Sequence, residues 1–234
     1  MSPAALALVL VSVCMHAGWN VLGKRNAPSL ASFTLAYGAG GAVMLPLVLL
    51  GPSLTALPSA FWGWLALSGL CQMLYMGGLA WAYARGDVSV LYPIARALPV
   101  IMVPLVSIVL LGSRVLDRWD GLGMVLVVAG ALCLPLSHPQ ARRISTYLTP
   151  AMGFALLAAA GTVGYSLIDK QALGLMQGAG HSGLTAGAVF MVLQALMTLT
   201  WSVPLLALLP AERRRLPALR QQGLTMLVVT GLMM

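Results

Sequence analysis

Residues 88–111 read VSVLYPIARALPVIMVPLVSIVLL, an apolar run of 24 residues in which Arg96 is the only charged residue. An α-helix rises about 1.5 Å per residue, so a run of about 20 residues crosses the roughly 30 Å of hydrocarbon in a bilayer. The run therefore predicts a membrane-spanning helix that carries a charge eight residues after its start.

Apolar stretches of comparable length lie on both sides of this run. They occupy residues 4–22, 31–50, 61–84, 121–136, 148–168 and 184–209, and a shorter one occupies residues 223–234. The fold prediction is an all-α, polytopic transmembrane helical bundle with seven full spans and a partial eighth. Twelve residues are too few to span, so either the chain is a fragment or the product of a truncated reading frame, which we expect, or its last segment is an interfacial stub.

The composition is typical of a chain surrounded by lipid. Hydrophobic residues make up 60% and charged residues 8% of the sequence, whereas about a quarter of a soluble domain is charged. The net charge of +8 comes mainly from basic residues in short breaks between the runs, which favours lipid headgroups over nucleic acid as partners. Cys14, Cys71 and Cys133 lie far apart without a histidine at ligand spacing, so no metal or other cofactor is expected.

A weak internal similarity suggests a repeat. Residues 18–24 and 164–170 align at a constant offset of 146, and each copy is expected to end the first helix of its half. Residues 138–147 would form the loop between a first five-helix unit, residues 1–137, and an incomplete second unit, residues 148–234. Because five is odd, the second unit enters the membrane from the other side. This predicts an inverted repeat, as in many secondary transporters.

Two segments also carry a resemblance to a known family. Residues 16–20 read HAGWN and are followed by Lys24, and residues 86–112 contain GDVSV, Tyr92-Pro93, Arg96, Pro99 and Leu111-Gly112. In these segments the chain resembles the EamA-like family of the drug/metabolite transporter (DMT) superfamily. The resemblance implies a multi-pass protein of the bacterial inner membrane with two five-helix repeats, the second incomplete here. An incomplete repeat favours pairing with a second copy as a homodimer.

Arg96 is the first candidate for binding a solute, because a charge inside a span costs about 2.5 kcal/mol or more unless it is paired or hydrated. It either faces a central cavity and attracts an anionic solute, or pairs with a carbonyl or reaches the nearer interface. Pro93, Pro99 and Pro104 each remove a helical hydrogen bond, which predicts a kinked helix with freed carbonyls. The kink could coordinate a solute or only shape the packing. Within the segment that carries the resemblance, Tyr92 is a further candidate.

Other polar residues recur within apolar stretches at helical spacing. His16, Asn20 and Lys24 recur every four residues and form one polar stripe on the first span, which predicts a water-accessible wall. His16 could carry a proton as the coupling ion or serve as a hydrogen-bonded packing residue. The remaining candidate substrate-binding residues are Gln72, Tyr75 and Tyr165.

Residues near the predicted span ends have a plainer interpretation. Tyr83 and Trp81 are interpreted as aromatic anchors at the membrane interface, together with Trp62 and Trp64. Asp169 either lines the cavity with Tyr165 or is an ordinary interfacial charge at a helix exit. On orientation, the count of basic residues places the N-terminus outside, whereas the resemblance places it in the cytoplasm.

These patterns favour a secondary-type transporter of a small polar metabolite, anionic or amino-acid-like, that works by alternating access. No glycine-rich loop ending in Gly-Lys-Ser/Thr is present, so ATP hydrolysis is not expected. Enzyme activity is not expected either, since residues 164–168 read GYSLI and depart from GxSxG at the last position. A non-transporting membrane subunit, a truncated remnant and an intramembrane enzyme remain the alternatives.

Overall fold

The computed structural model describes residues 3–25, 28–50, 54–112, 116–133, 148–220 and 223–234. Within these residues the ordered elements are helices, without a β-strand. They are α1 (Pro3–Arg25), α2 (Leu30–Met44), α3 (Pro46–Leu50), a 3₁₀ turn (Leu54–Ala56), α4 (Ser59–Arg85), α5 (Val88–Leu111), α6 (Arg118–Cys133), α7 (Pro150–Gly178), α8 (Gly183–Leu208), α9 (Pro210–Arg213), α10 (Leu216–Arg220) and α11 (Leu224–Met233).

Six segments of the described chain are long and apolar enough to cross a membrane. They lie in α1, in α2 with α3, and in α4, α5, α7 and α8. The protein is accordingly a multi-pass helical membrane protein. The sixteen described residues of α6 correspond to the predicted span 121–136, whose last residues lie outside the described part, so the count of seven spans stays a prediction. The predicted loop 138–147 also falls outside the described residues.

Short polar residues set several helix boundaries. Ser29 caps α2 by accepting a hydrogen bond from the Ser32 amide, and the Ser32 hydroxyl completes the reciprocal pair. Asp87 accepts from the Ser89 amide at the start of α5, and Gly112 ends that helix with a φ of 63°, a conformation that glycine adopts without strain. These caps fix α5 at the predicted bounds, residues 88–111.

Helix α7 differs from its prediction. The sequence predicts a span that ends at Ile168, but the helix continues to Gly178. Asp169 does not end the helix, because its carboxylate accepts hydrogen bonds from Ser68 and Gln194 inside the bundle, and Ala172 and Met176 continue the buried face. The prediction that residues 164–170 end a helix is therefore wrong. The inverted repeat itself stays a prediction.

Helix α4 lies at the centre of the bundle and packs along both α7 and α8. Glycines allow the backbones of α4 and α7 to approach closely, since a Cβ on Gly78 would lie 2.7 Å from the Ala158 nitrogen and one on Gly161 would lie 2.6 Å from the Tyr75 nitrogen. These two crossings place later residues of α4 opposite earlier residues of α7, so the helices run antiparallel. The register fixes which polar residues of the two helices meet.

The outer helices complete the bundle. Helix α11 packs on α2 and also contacts α1, and no room exists for a side chain where Gly231 meets α2 near Gly40. Much of α1 and nearly all of α6 expose apolar side chains, which is expected of surfaces that face lipid.

Candidate functional site: a polar cavity between the helices

A cavity of about 190 Å³ opens between the helices that surround α4. Its lining comes from α1, α2, α4, α7, α8 and α11, so both predicted halves of the chain contribute to it. Six of the lining side chains are polar: His16, Tyr37, Gln72, Tyr75, Tyr165 and Gln194. The rest of the wall is formed by small or apolar residues such as Gly40, Met44 and Val192. The cavity thus presents six polar side chains in a wall that is otherwise small or apolar.

Helix α4 contributes two of the predicted site residues to the cavity lining. Gln72 and Tyr75 are three residues apart and therefore lie on one face of the helix, and both line the cavity. Tyr165 of α7 meets the Tyr75 ring edge to face, with the ring centroids 5.8 Å apart. The absence of a side chain at Gly161 lets α7 come close enough for this contact. The predicted residues Gln72, Tyr75 and Tyr165 are thus brought together.

Arg96 contacts two of the side chains that line the cavity, Tyr75 and His16. Its Nη2 donates to the Tyr75 hydroxyl at 2.9 Å and bonds to Nε2 of His16. Because a guanidinium has only donors, Nε2 of His16 is the acceptor in this contact. The guanidinium also lies over the rings of Tyr75 and Tyr92, at 5.5 and 5.7 Å from their centroids.

The charge of Arg96 is therefore held next to the cavity without lining it. Among the described residues, its hydrogen-bond partners are the neutral groups of His16 and Tyr75, and no carboxylate is among them. Its positive charge is left uncompensated by a carboxylate in that part of the chain. Tyr92 contributes to the site by contact with Arg96, not by lining the cavity.

Asn20, a predicted binding residue, lies outside the cavity wall in the structure. It is buried, its Nδ2 donates to the His16 carbonyl at 2.6 Å, and its Oδ1 accepts from the Tyr83 hydroxyl at 2.9 Å. It is not among the lining residues and instead ties α1 to α4.

Tyr83 is only 1% exposed, so its interpretation as an interfacial anchor is wrong. The side chain of Lys24, the third member of the predicted stripe, lies outside the described part of the structure.

The three prolines are accommodated within a continuous helix. Pro93, Pro99 and Pro104 all lie inside α5, which runs from Val88 to Leu111 without a break. Each lacks the amide hydrogen that would bond to the carbonyl four residues earlier. The predicted kink, and any role of the freed carbonyls in coordinating a solute, stay predictions.

Two polar residues that line the cavity were not predicted from the sequence. They are Tyr37 and Gln194. Ser68 and Gln194 both bond to Asp169, which lies inside the bundle rather than at an interfacial exit. The available signal was a lone hydroxyl, amide or acid in the middle of an apolar run, since such groups are costly there unless they are used.

The chain was compared with protein-family models, curated proteins and solved structures, and nothing matches in any of the three.

Proposed function

We propose that the protein is a secondary-type transporter that moves a small polar metabolite, anionic or amino-acid-like, across a membrane by alternating access. The observation that carries the proposal is the polar cavity inside a bundle of membrane-length apolar helices, with Arg96 behind its wall. A core with only a structural role would be more stable if it were apolar, because buried polar groups must find hydrogen-bond partners in the absence of water. A polar solute supplies such partners.

The size of the cavity supports a small solute. Its volume is about 190 Å³, below the roughly 300–1,000 Å³ of pockets that hold drug-sized ligands. The uncompensated charge of Arg96 favours a solute that carries an anionic group, since opposite charges attract strongly where water is excluded. Tyr37, Gln72 and Gln194 offer hydroxyl and amide groups that can both donate and accept hydrogen bonds.

The sequence supports an ion gradient as the energy source and the bacterial inner membrane as the location. With no phosphate-binding loop in the chain, transport would draw on an ion gradient rather than on ATP. The resemblance to the EamA-like family favours the bacterial inner membrane as the location. It also favours a site between two related halves, and the cavity has walls from both predicted units.

A thermal-shift screen of the full chain in detergent tests the proposal. Lactate, succinate, alanine and glutamate are the probes, because they are small and carry a carboxylate. A solute that binds only the folded state raises the unfolding temperature, because it stabilises that state by RT ln(1 + c/Kd), where c is the free solute concentration. We expect at least one probe to stabilise the protein and Arg96→Ala to abolish that effect.

Two further variants make the screen specific. Arg118→Ala removes an exposed arginine at the start of α6, far along the chain from the cavity-lining residues, and should leave the shift intact. Arg96→Lys keeps the charge but loses the planar donor fork, so it should retain a weaker shift. A shift that persists in Arg96→Ala, or no shift with any probe in a well-folded protein, would contradict the proposal.

A further inference from the structure

Three polar side chains from three helices form a closed ring inside the bundle. Ser68 of α4 donates to Oδ1 of Asp169 on α7. Gln194 of α8 donates through Nε2 to Oδ2 of Asp169 at 2.9 Å and to the Ser68 hydroxyl at 2.7 Å. Ser68 is fully buried and Gln194 nearly so. Both oxygens of the carboxyl group are thus held by neutral donors.

The ring lies within the span. Asp169 is nine residues before the end of α7 at Gly178 (178 − 169), which at about 1.5 Å per residue is roughly 14 Å along the helix. A full negative charge at such a position is costly unless it is paired. The neighbouring cation Lys170 is exposed, and Arg96 is bonded to His16 and Tyr75. No basic side chain in the described residues donates to Asp169.

The groups around the ring are neutral. Among the described residues, the titratable side chains that a charge on Asp169 influences include Tyr37 from α2 and Cys71 from α4. Helix α8 contributes the amide of Gln194, and Tyr165 lies one turn earlier on α7. A proton is the simplest species that can neutralise a carboxylate in this setting.

The geometry distinguishes a proton from larger ligands. A metal cation would face the hydrogens of a hydroxyl and an amide, since both carboxylate oxygens accept bonds from Ser68 and Gln194. A solute in the cavity does not reach Asp169, which is not among the lining residues, whereas Gln194 is. A proton needs no room beyond the hydrogen-bonded ring itself.

The ring can hold the carboxyl group in both states. A hydroxyl is a donor and an acceptor that rotates, so after protonation the carboxyl can donate to the Ser68 oxygen. That oxygen still accepts from Gln194, and the Ser68 hydrogen can turn to the carbonyl of Trp64, four residues earlier on the helix. Uptake of a proton therefore rearranges hydrogen bonds without breaking the ring.

We infer that Asp169 is a reversible proton-binding site that communicates with the cavity through Gln194. A change of proton occupancy changes the charge of the carboxyl group to which the Gln194 amide donates, and the same amide is part of the cavity wall. Proton and solute binding are then linked, and the linkage is reciprocal. The coupling role rests on the proposed transport function, but proton binding can be measured without any solute.

Infrared difference spectroscopy of the full chain, titrated across the physiological pH range in lipid vesicles without solute, tests the inference. A protonated carboxyl group has its own carbonyl stretching band, and the chain has only five acidic residues, so assignment is practicable. We expect a band that appears reversibly on acidification and is lost in Asp169→Asn. Asp117→Asn changes an exposed acid and should leave the band intact.

Two more variants keep the test decisive. Ser68→Ala retains Asp169 but removes one hydrogen-bond donor to its carboxyl group. The band should therefore persist, and the proton affinity of Asp169 should change about tenfold. Glu212→Gln controls for an acid that is buried at the end of the bundle. A band that survives in Asp169→Asn, no band in the wild type, or an unchanged titration in Ser68→Ala would overturn the inference. None of these results depends on whether the protein transports a solute.

Discussion

Adding a methyl group at Gly161 should separate the two helices that build the cavity. A Cβ at this position would lie 2.6 Å from the Tyr75 nitrogen and 2.7 Å from the Cys71 oxygen, and ordinary contacts begin at 3.4 Å. The helices must therefore move apart by up to 3.4 − 2.6 = 0.8 Å, because the opposing atoms belong to the α4 backbone. Overpacking of this kind costs about 1–3 kcal/mol. Tyr75 would move away from Tyr165 in the process.

Gly174→Ala is the matched control for Gly161→Ala. Both glycines lie in α7, but a Cβ at Gly174 would meet nothing within 4 Å. Both changes gain the same helix propensity, up to about 1 kcal/mol, so the difference between the variants isolates the clash. Unfolding in mixed micelles, followed by circular dichroism, should show Gly161→Ala less stable than Gly174→Ala by about 1–3 kcal/mol. Equal stabilities would refute the helix packing described here.

Three further substitutions separate support of the fold from solute binding. Tyr83→Phe should lower the free energy of unfolding by about 1 kcal/mol, because Asn20 loses a buried donor, and leave the thermal shifts caused by solutes unchanged. Glu212→Ala should cost about 1–3 kcal/mol more than Glu212→Gln and alter the fluorescence of Trp81, whose indole N–H loses its acceptor; equal losses would exclude this contact. Tyr37→Phe should weaken solute binding about 2–10-fold in calorimetry with little change in stability, and an unchanged affinity would remove Tyr37 from the site.

The helices that the sequence predicts well are those whose ends are decided locally. The bounds of α5 follow from Asp87 and Gly112, which cap the helix through contacts within a few residues. The end of α7 could not be read in this way. Asp169 resembles an exit charge in the sequence, but its partner Ser68 is 101 residues away. Only the tertiary register shows that the acid is satisfied inside the bundle.

The sequence predicts which residues form the candidate site better than it predicts how they are arranged. A polar residue inside an apolar run is itself the signal, and it led to His16, Tyr75 and Arg96. Which of them touch each other depends on how α4 and α7 cross at Gly78 and Gly161, and spacing along one helix cannot give that. The same limit explains why Asn20, on the same predicted stripe as His16, bonds to Tyr83 instead of lining the cavity.

Counterflow in proteoliposomes would show whether the cavity serves transport. Vesicles containing the full chain are loaded with the probe that gives the largest thermal shift, and entry of the labelled form is followed. We expect entry faster than in protein-free vesicles, reduced to the protein-free rate by Arg96→Ala and unaffected by Arg118→Ala. Entry at the protein-free rate, in vesicles where circular dichroism confirms a helical protein, would contradict the transporter proposal.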